Sequence, residues 1–279
     1  MATVPKNRYR VSITSECNMR CTYCHNEGNG NIVKWMNPKT LYDLIEYSHE
    51  LGLKEIRLTG GEPTIHPQIE EICFTLKNKY NLRVSLNTNL MNFDVICHLL
   101  EKNLVDHIVV GIDYFDGAIS KHSSIGVPSK VILQRILSVK HQYPACTIDI
   151  STVYTGDDYH TENLIIFCIE NEIRIKVLEI QSLSQGHEVD LKSLKEKYSE
   201  VLPWSIDELG EMNLYKNGKK VVSFFDSLCA SKKCNTCHKI QLRVLPDGII
   251  KPCAFKHSGE FSIYDKDFNT RIEKLCNED

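Results

Sequence analysis

Short apolar runs punctuate the first two-thirds of the chain at residues 9–13 (YRVSI), 55–59 (EIRLT), 83–87 (RVSLN), 107–112 (HIVVGI), 148–153 (IDISTV) and 175–180 (IKVLEI). Runs of this length predict strands. Between them, residues 38–51, 67–79, 92–102, 129–142 and 160–171 carry helix-like patterns, and two of these stretches begin with Pro38 and Pro67, a residue suited to a first helical turn. Strands alternating with helices predict parallel βαβ units. Six such units predict an α/β fold, an open, partial (β/α)6 version of a TIM-like barrel. Its active site is expected in the βα loops at the C-terminal ends of the strands.

The alternation stops near Gln181. Residues 191–201 read as a charged helix, and residues 229–255 as a compact segment bearing cysteines. The expected division is therefore a barrel over 1–182 and a C-terminal extension over 183–279, with no internal repeat or low-complexity stretch.

Composition narrows the function classes. The chain has 279 residues, 42% hydrophobic and 25% charged, enough for a sizeable core. A formal net charge of −3 predicts no general attraction to nucleic acid or to an anionic membrane. No apolar run approaches the roughly 18 residues of a membrane span, and the first residues read as neither a signal peptide nor a lipidation site. These features together predict a cytoplasmic enzyme. Twelve cysteines are many for such a chain, and clustered cysteines in a reducing compartment point to metal or redox chemistry. Cys73, Cys97, Cys146, Cys168 and Cys276 are scattered and read as small buried hydrophobes. The others fall in two groups, Cys17, Cys21 and Cys24, and then Cys229, Cys234, Cys237 and Cys253.

The first group, Cys17-Asn-Met-Arg-Cys21-Thr-Tyr-Cys24, puts three thiolates on one loop just after the first predicted strand. Three cysteines hold three irons of a cubic [4Fe–4S] cluster and leave the fourth with an open coordination site. Zinc is the competing reading, with His25 as the nearby fourth ligand. The run Leu58-Thr-Gly60-Gly61-Glu62-Pro63 follows the second predicted strand. Paired glycines let backbone approach a ligand closely, and Glu62 offers a carboxylate to an ammonium group.

Together, the cysteine triplet and the Gly60–Pro63 loop resemble the radical S-adenosylmethionine (SAM) superfamily. The resemblance implies that SAM chelates the open iron and is cleaved by an electron from the cluster to a 5′-deoxyadenosyl radical. It further implies Cys17, Cys21 and Cys24 as iron ligands, a SAM site on Tyr23, Gly60, Gly61, Glu62, Pro63 and Asn89, and an electron donor such as flavodoxin or ferredoxin.

A closer likeness is to the GTP 3′,8-cyclase family of molybdenum cofactor biosynthesis. Tyr9-Arg-Val-Ser-Ile-Thr14, Ile56-Arg-Leu-Thr-Gly-Gly-Glu-Pro63, Asn87-Thr-Asn89, Val110-Gly-Ile-Asp113, Lys176-Val-Leu-Glu-Ile180 and Pro246-Asp-Gly248-Ile-Ile-Lys-Pro-Cys253 follow its motifs in order. That family carries an auxiliary [4Fe–4S] cluster, which the resemblance places on Cys234, Cys237 and Cys253. Cys234-x-x-Cys237 also fits a zinc site, and Cys229 is a candidate fourth ligand for either metal. Arg10 and Arg57 match cationic substrate positions, and Arg243 restores a third. Other positions depart from the family: Gly111 replaces a serine beside the ribose of SAM, Asp149 a lysine, Lys176 an arginine and Gln181 a methionine. A carboxylate facing a triphosphate is costly, so Asp149 on the pocket side argues against GTP, whereas a register one residue off turns it outward.

The sequence thus predicts a radical SAM enzyme, similar to the GTP 3′,8-cyclases, that abstracts hydrogen from, and cyclises or rearranges, a small nucleotide-derived substrate, with GTP itself disfavoured if Asp149 faces the pocket. The alternative is crosslinking or epimerisation of a ribosomal peptide, and a zinc-stabilised binding module is a third reading. No motif identifies a general base.

Overall fold

A computed structural model describes residues 8–21, 23–28, 34–48, 52–117, 127–180, 189–207, 210–226, 242–251 and 259–277, with residues 275–277 as backbone alone. Six strand–helix repeats dominate it. The strands are β1 (Arg8–Thr14), β2 (Glu55–Gly60), β3 (Arg83–Thr88), β4 (His107–Gly111), β5 (Thr147–Tyr154) and β6 (Arg174–Glu179). They lie side by side in sequence order, every neighbouring pair parallel. Between them run α1 (Pro38–Ser48), α2 (Ile69–Asn78), α3 (Phe93–Glu101), α4 (Ser129–Gln142) and α5 (Asp158–Glu170). The α/β architecture expected from the alternation is present.

The helices form where an apolar stripe recurs every three or four residues. α2 buries Ile69, Ile72, Cys73 and Leu76; α4 buries Ile132, Leu133, Ile136 and Val139. These stripes meet one face of the sheet, where Val11, Ile13, Ile56, Leu58, Val84, Leu86, Ile108 and Val110 are all buried in the same core. Alternate residues point to the other face. On that face Arg10 is in register with Arg57, Arg57 with Ser85, and Ser85 with His107. The sheet therefore separates an apolar side under the helices from a polar side, with chemistry-bearing loops at the strand ends.

β1 and β6 do not pair with each other. The sheet instead continues past both. β10 (Leu242–Val244) runs parallel to β1 and β9 (Lys219–Phe225) parallel to β6. Antiparallel partners follow on each flank: β11 (Ile249–Lys251) and β12 (Phe261–Ser262) beyond β10, and β8 (Met212–Lys216) and β7 (Trp204–Ile206) beyond β9. The charged helix read at 191–201 is α6 (Lys192–Ser199), and α7 (Phe268–Asn277) ends the described chain.

The scattered cysteines Cys73, Cys146 and Cys168 are buried, and Cys97 is partly so. Cys229, Cys234, Cys237, Cys253 and Gln181 lie outside the described residues.

Candidate active site

The ends of β1, β2 and β3 are tied into one platform. At the end of β1 the Thr14 carbonyl accepts from the Gly61 amide at 2.7 Å, and the Glu16 carbonyl accepts from the Glu62 amide at 2.8 Å. This contact is possible only because position 61 lacks a side chain. A Cβ there would stand 2.0 Å from the Glu16 oxygen and 2.9 Å from Cβ of Cys17. Gly60 is similarly confined, with φ +140° and the Thr14 oxygen where a Cβ would go. The glycine pair thus seats the cysteine loop directly on the end of β2.

Glu62, 1% exposed, secures the platform. Its Oε1 accepts from the Thr64 amide (3.1 Å), the Thr64 hydroxyl (2.6 Å) and the Thr88 hydroxyl (2.7 Å), and its Oε2 from the Asn89 amide (2.8 Å). Burial pushes its carboxyl up despite these donors. Pro63 opens the short turn Pro63–Ile65 that Glu62 caps. Asn89 reaches back to the cysteine loop, its Nδ2 donating to Asn18 Oδ1 at 2.6 Å.

Within that loop the backbone amides of Met19 and Asn26 point at Cys17 Sγ and Cys24 Sγ, each at 3.3 Å. All three cysteines are free thiols. Burial pushes Cys17 up to about 11 and Cys21 up to about 12, and both are raised further by the neighbouring cysteines. Tyr23 hydrogen-bonds through its hydroxyl to Asp113, just past β4. Asp113 also accepts from the Val153 amide at 2.8 Å, and burial pushes its carboxyl up to about 7.

The three arginines singled out in the sequence lie in one row across adjacent strands, since Arg10 is in register with both Arg57 and Arg243. Against this row lies Glu27, a residue the sequence reading passed over. It is 6% exposed, accepts from Arg10 Nε at 2.9 Å, from a second Arg10 nitrogen, and from the Thr59 hydroxyl at 3.2 Å. Burial alone would raise its carboxyl, but Arg10, His25 and Arg243 hold it down at about 2. His25 lies beside this group, and burial pushes its imidazole down, toward the neutral form.

The model of the Radical SAM superfamily matches residues 11–168, more than half of the chain. The chain belongs to the Radical SAM superfamily. A probable GTP 3′,8-cyclase of Pyrococcus horikoshii is 26% identical over 268 residues, covering 90% of this chain and 84% of its own length. Another from Methanococcus aeolicus is 25% identical over 261 residues, covering 88% and 85%. Among solved structures, SuiB of Streptococcus suis bound to precursor peptide SuiA matches with a TM-score of 0.72 at 15% identity. That match covers 98% of this chain, which spans 65% of SuiB. Native anSMEcpe with bound AdoMet matches with a TM-score of 0.62 at 18% identity, covering 98% of this chain and 84% of its own. At these identities the structural likenesses show a shared fold.

This radical SAM chain is an enzyme, and its superfamily implies a [4Fe–4S] cluster used with SAM. The donor set fits such a group. Cys17 and Cys21 are part-buried thiols whose ionisation is opposed by burial and by Cys24, which calls for cationic metal beside them, and amide donors already face two of the sulfurs. Among the described residues no group of three or more His, Cys, Asp or Glu converges as ligands of a single ion. A cubane needs no such convergence, because each cysteine binds a different iron.

Three departures from the cyclase family take on physical meaning. Asp149 is on the polar face, yet its charge is already engaged. It accepts from His107 Nε2 at 2.8 Å and pairs with Arg174, the first residues of β4 and β6. It therefore belongs to a charged network on the polar face, level with Asn87 through Val109 and near enough to Arg57 to act on its guanidinium. Lys176 donates to Glu211 Oε1 at 2.5 Å and lies over the Phe225 ring. At Gly111 an added Cβ would meet no atom within 4 Å, so the position is open.

The sequence could flag residues in strand-end motifs, but not that Glu27 meets Arg10 and Thr59 or that Asn18 meets Asn89. Those contacts join loops distant in the chain, and the only available signal was a carboxylate soon after the third cysteine. No helix among the described residues is long and apolar enough to cross a membrane.

Proposed function

We propose that this enzyme uses SAM at Cys17, Cys21 and Cys24 to abstract hydrogen from carbon of a small, nucleotide-derived substrate, which then cyclises or rearranges. The observation that carries this reading is the clamp between the cysteine loop and the Gly60–Glu62 loop, with the Gly61 and Glu62 amides bound to Thr14 and Glu16. Held by Cys17, Cys21 and Cys24, the cluster with SAM would supply the radical chemistry that removes a hydrogen atom from carbon. The chain's own residues bind, aim and shield.

In this reading Cys17, Cys21 and Cys24 each ligate one iron. Gly60 and Gly61, whose missing side chains make room for the Thr14 and Glu16 carbonyls, hold the loop that meets SAM, and the remaining lone pair of Glu62 Oε2 accepts from its ammonium. Pro63 fixes the turn, Asn89 holds the loop from the β3 side, and Tyr23, anchored by Asp113, closes the wall. Arg10, Arg57 and Arg243 face the substrate. Cys234, Cys237 and Cys253 hold an auxiliary [4Fe–4S] cluster that positions the substrate or takes up an electron, and a flavodoxin or ferredoxin supplies the reducing electron. The likeness to cyclases over about nine-tenths of the chain supports the nucleotide class.

A second reading, crosslinking or epimerisation of a ribosomal peptide, draws support from the fold shared with SuiB, solved with a precursor peptide.

Anaerobic reconstitution followed by incubation with SAM and dithionite tests the core of the proposal. Wild type should form 5′-deoxyadenosine, and the triple Cys17, Cys21, Cys24→Ala variant should form none. Product formed by that variant would overturn it. Two clusters predict about eight irons per chain; about four irons with bound zinc would remove the auxiliary cluster from the scheme.

A further inference from the structure

Arginines side by side on neighbouring strands repel one another and call for an anion. In this enzyme the chain supplies one. Glu27 comes from the cysteine loop, and its carboxylate takes two donors from the middle arginine of the row and one from Thr59. The backbone goes out of its way to place it there, since Glu27 has φ 53° and ψ 13°, a left-handed conformation that a glutamate seldom adopts. Arg243 and His25 act on the same carboxylate. Arg57, at the other end of the row, is 3.8 Å from Glu55, while its Nε remains without a partner among the described residues. On the same face, Oδ1 of Asn87 is also buried without a partner among them.

We propose that Glu27 is a specificity-determining residue: its carboxylate fills the anion site that Arg10 and Arg243 would otherwise offer to a phosphate chain. The substrate then meets this wall through neutral groups. Arg57 Nε–H donates and Asn87 Oδ1 accepts, a combination that suits an amide or a nucleobase edge. This deepens the nucleotide reading above by specifying a nucleoside-type substrate without a polyphosphate.

The test is equilibrium binding to the reconstituted holoenzyme, with tripolyphosphate, guanosine and GTP as probes. Wild type should bind tripolyphosphate no more than weakly, and GTP no more tightly than guanosine. Glu27→Asn removes the charge and suits the left-handed backbone, so the variant should fold. It should bind tripolyphosphate at least ten-fold more tightly, with a steep loss in added salt. Adding Arg10→Ala to it should abolish the gain. Glu27→Gln, which keeps the side-chain length, should show a gain of the same sign. Wild type that binds GTP ten-fold tighter than guanosine through Arg10 would overturn the proposal. So would a folded Glu27→Asn or Glu27→Gln enzyme with no gain for tripolyphosphate. Failure of guanosine to bind any form would count against the nucleotide reading alone, because the tripolyphosphate comparison decides the role of Glu27 independently.

Discussion

The hydroxyl of Thr88 donates to Glu62 Oε1 at 2.7 Å, joining the ends of β3 and β2 through a buried carboxylate. Four donors converge on that one side chain. Glu62→Ala would leave the Thr64 and Asn89 amides and the Thr88 hydroxyl buried without an acceptor. At about 1–3 kcal/mol for each unsatisfied buried group, partly offset by relaxation, the expected loss is about 3 kcal/mol. Urea unfolding should show it, and 5′-deoxyadenosine formation should cease.

Gly61→Ala should disrupt the metal site while Gly111→Ser spares it. A Cβ at position 61 collides with the Glu16 carbonyl and with Cys17, whereas one at position 111 meets nothing within 4 Å. Iron and sulfide per chain after reconstitution should fall by at least half in the first variant and stay at the wild-type level in the second. Stability of Gly111→Ser should lie within about 0.5 kcal/mol of wild type.

The pairing of Glu27 predicts an acid dependence. Its carboxyl lies at about 2 in the folded chain against an ordinary 4.5. The folded state therefore binds this proton less readily than the unfolded chain. The stabilisation it brings is present above the unfolded value of 4.5 and disappears as pH falls through the folded value near 2. A shift of this size corresponds to something on the order of 3 kcal/mol. Urea unfolding of wild type and Glu27→Gln should show a stability gap at pH 7 that narrows steadily below pH 4.5. A gap that stays constant across that range would assign the effect to other carboxylates.

Asp149 should matter for stability and not for SAM cleavage. Asp149→Asn weakens the contacts to Arg174 and His107 and should cost about 1–2 kcal/mol. Asp149→Lys, which restores the charge expected in the cyclase family, puts a cation against Arg174 and should cost about 3 kcal/mol. Thermal unfolding checks both. The rate of 5′-deoxyadenosine formation by folded Asp149→Asn should match wild type.

The strand–helix alternation was legible because each element carries its own period. Leu41, Leu44 and Ile45 mark one face of α1 as plainly as Val11 and Ile13 mark one face of β1. Even so, α5 begins at Asp158, earlier than the pattern suggested, because Asp157 caps it by accepting from the His160 amide. The flanking strands were not legible. β10 and β11 are three residues each, too short for a period, and exist by pairing with strands remote in sequence. The same distinction divides the site. Cys17, Gly61 and Glu62 announce themselves by local spacing. The coupling of Glu27 to Arg10, or of Asn18 to Asn89, arises only when separate loops arrive at the same place.

The parallel seating of β10 on β1 has a consequence for synthesis. Residue 244 must be made before the Tyr9–Val11 stretch of β1 acquires its second neighbour. That part of the strand's flank waits while most of the chain emerges, residues 34–36 covering only the end of the same flank. At about 5–20 residues per second that wait lasts on the order of 10–50 s. An unpaired strand flank invites association between nascent chains. Expression at lower temperature or with added chaperones should therefore raise the yield of this enzyme more than stabilising the finished fold would, because the hazard precedes the native state.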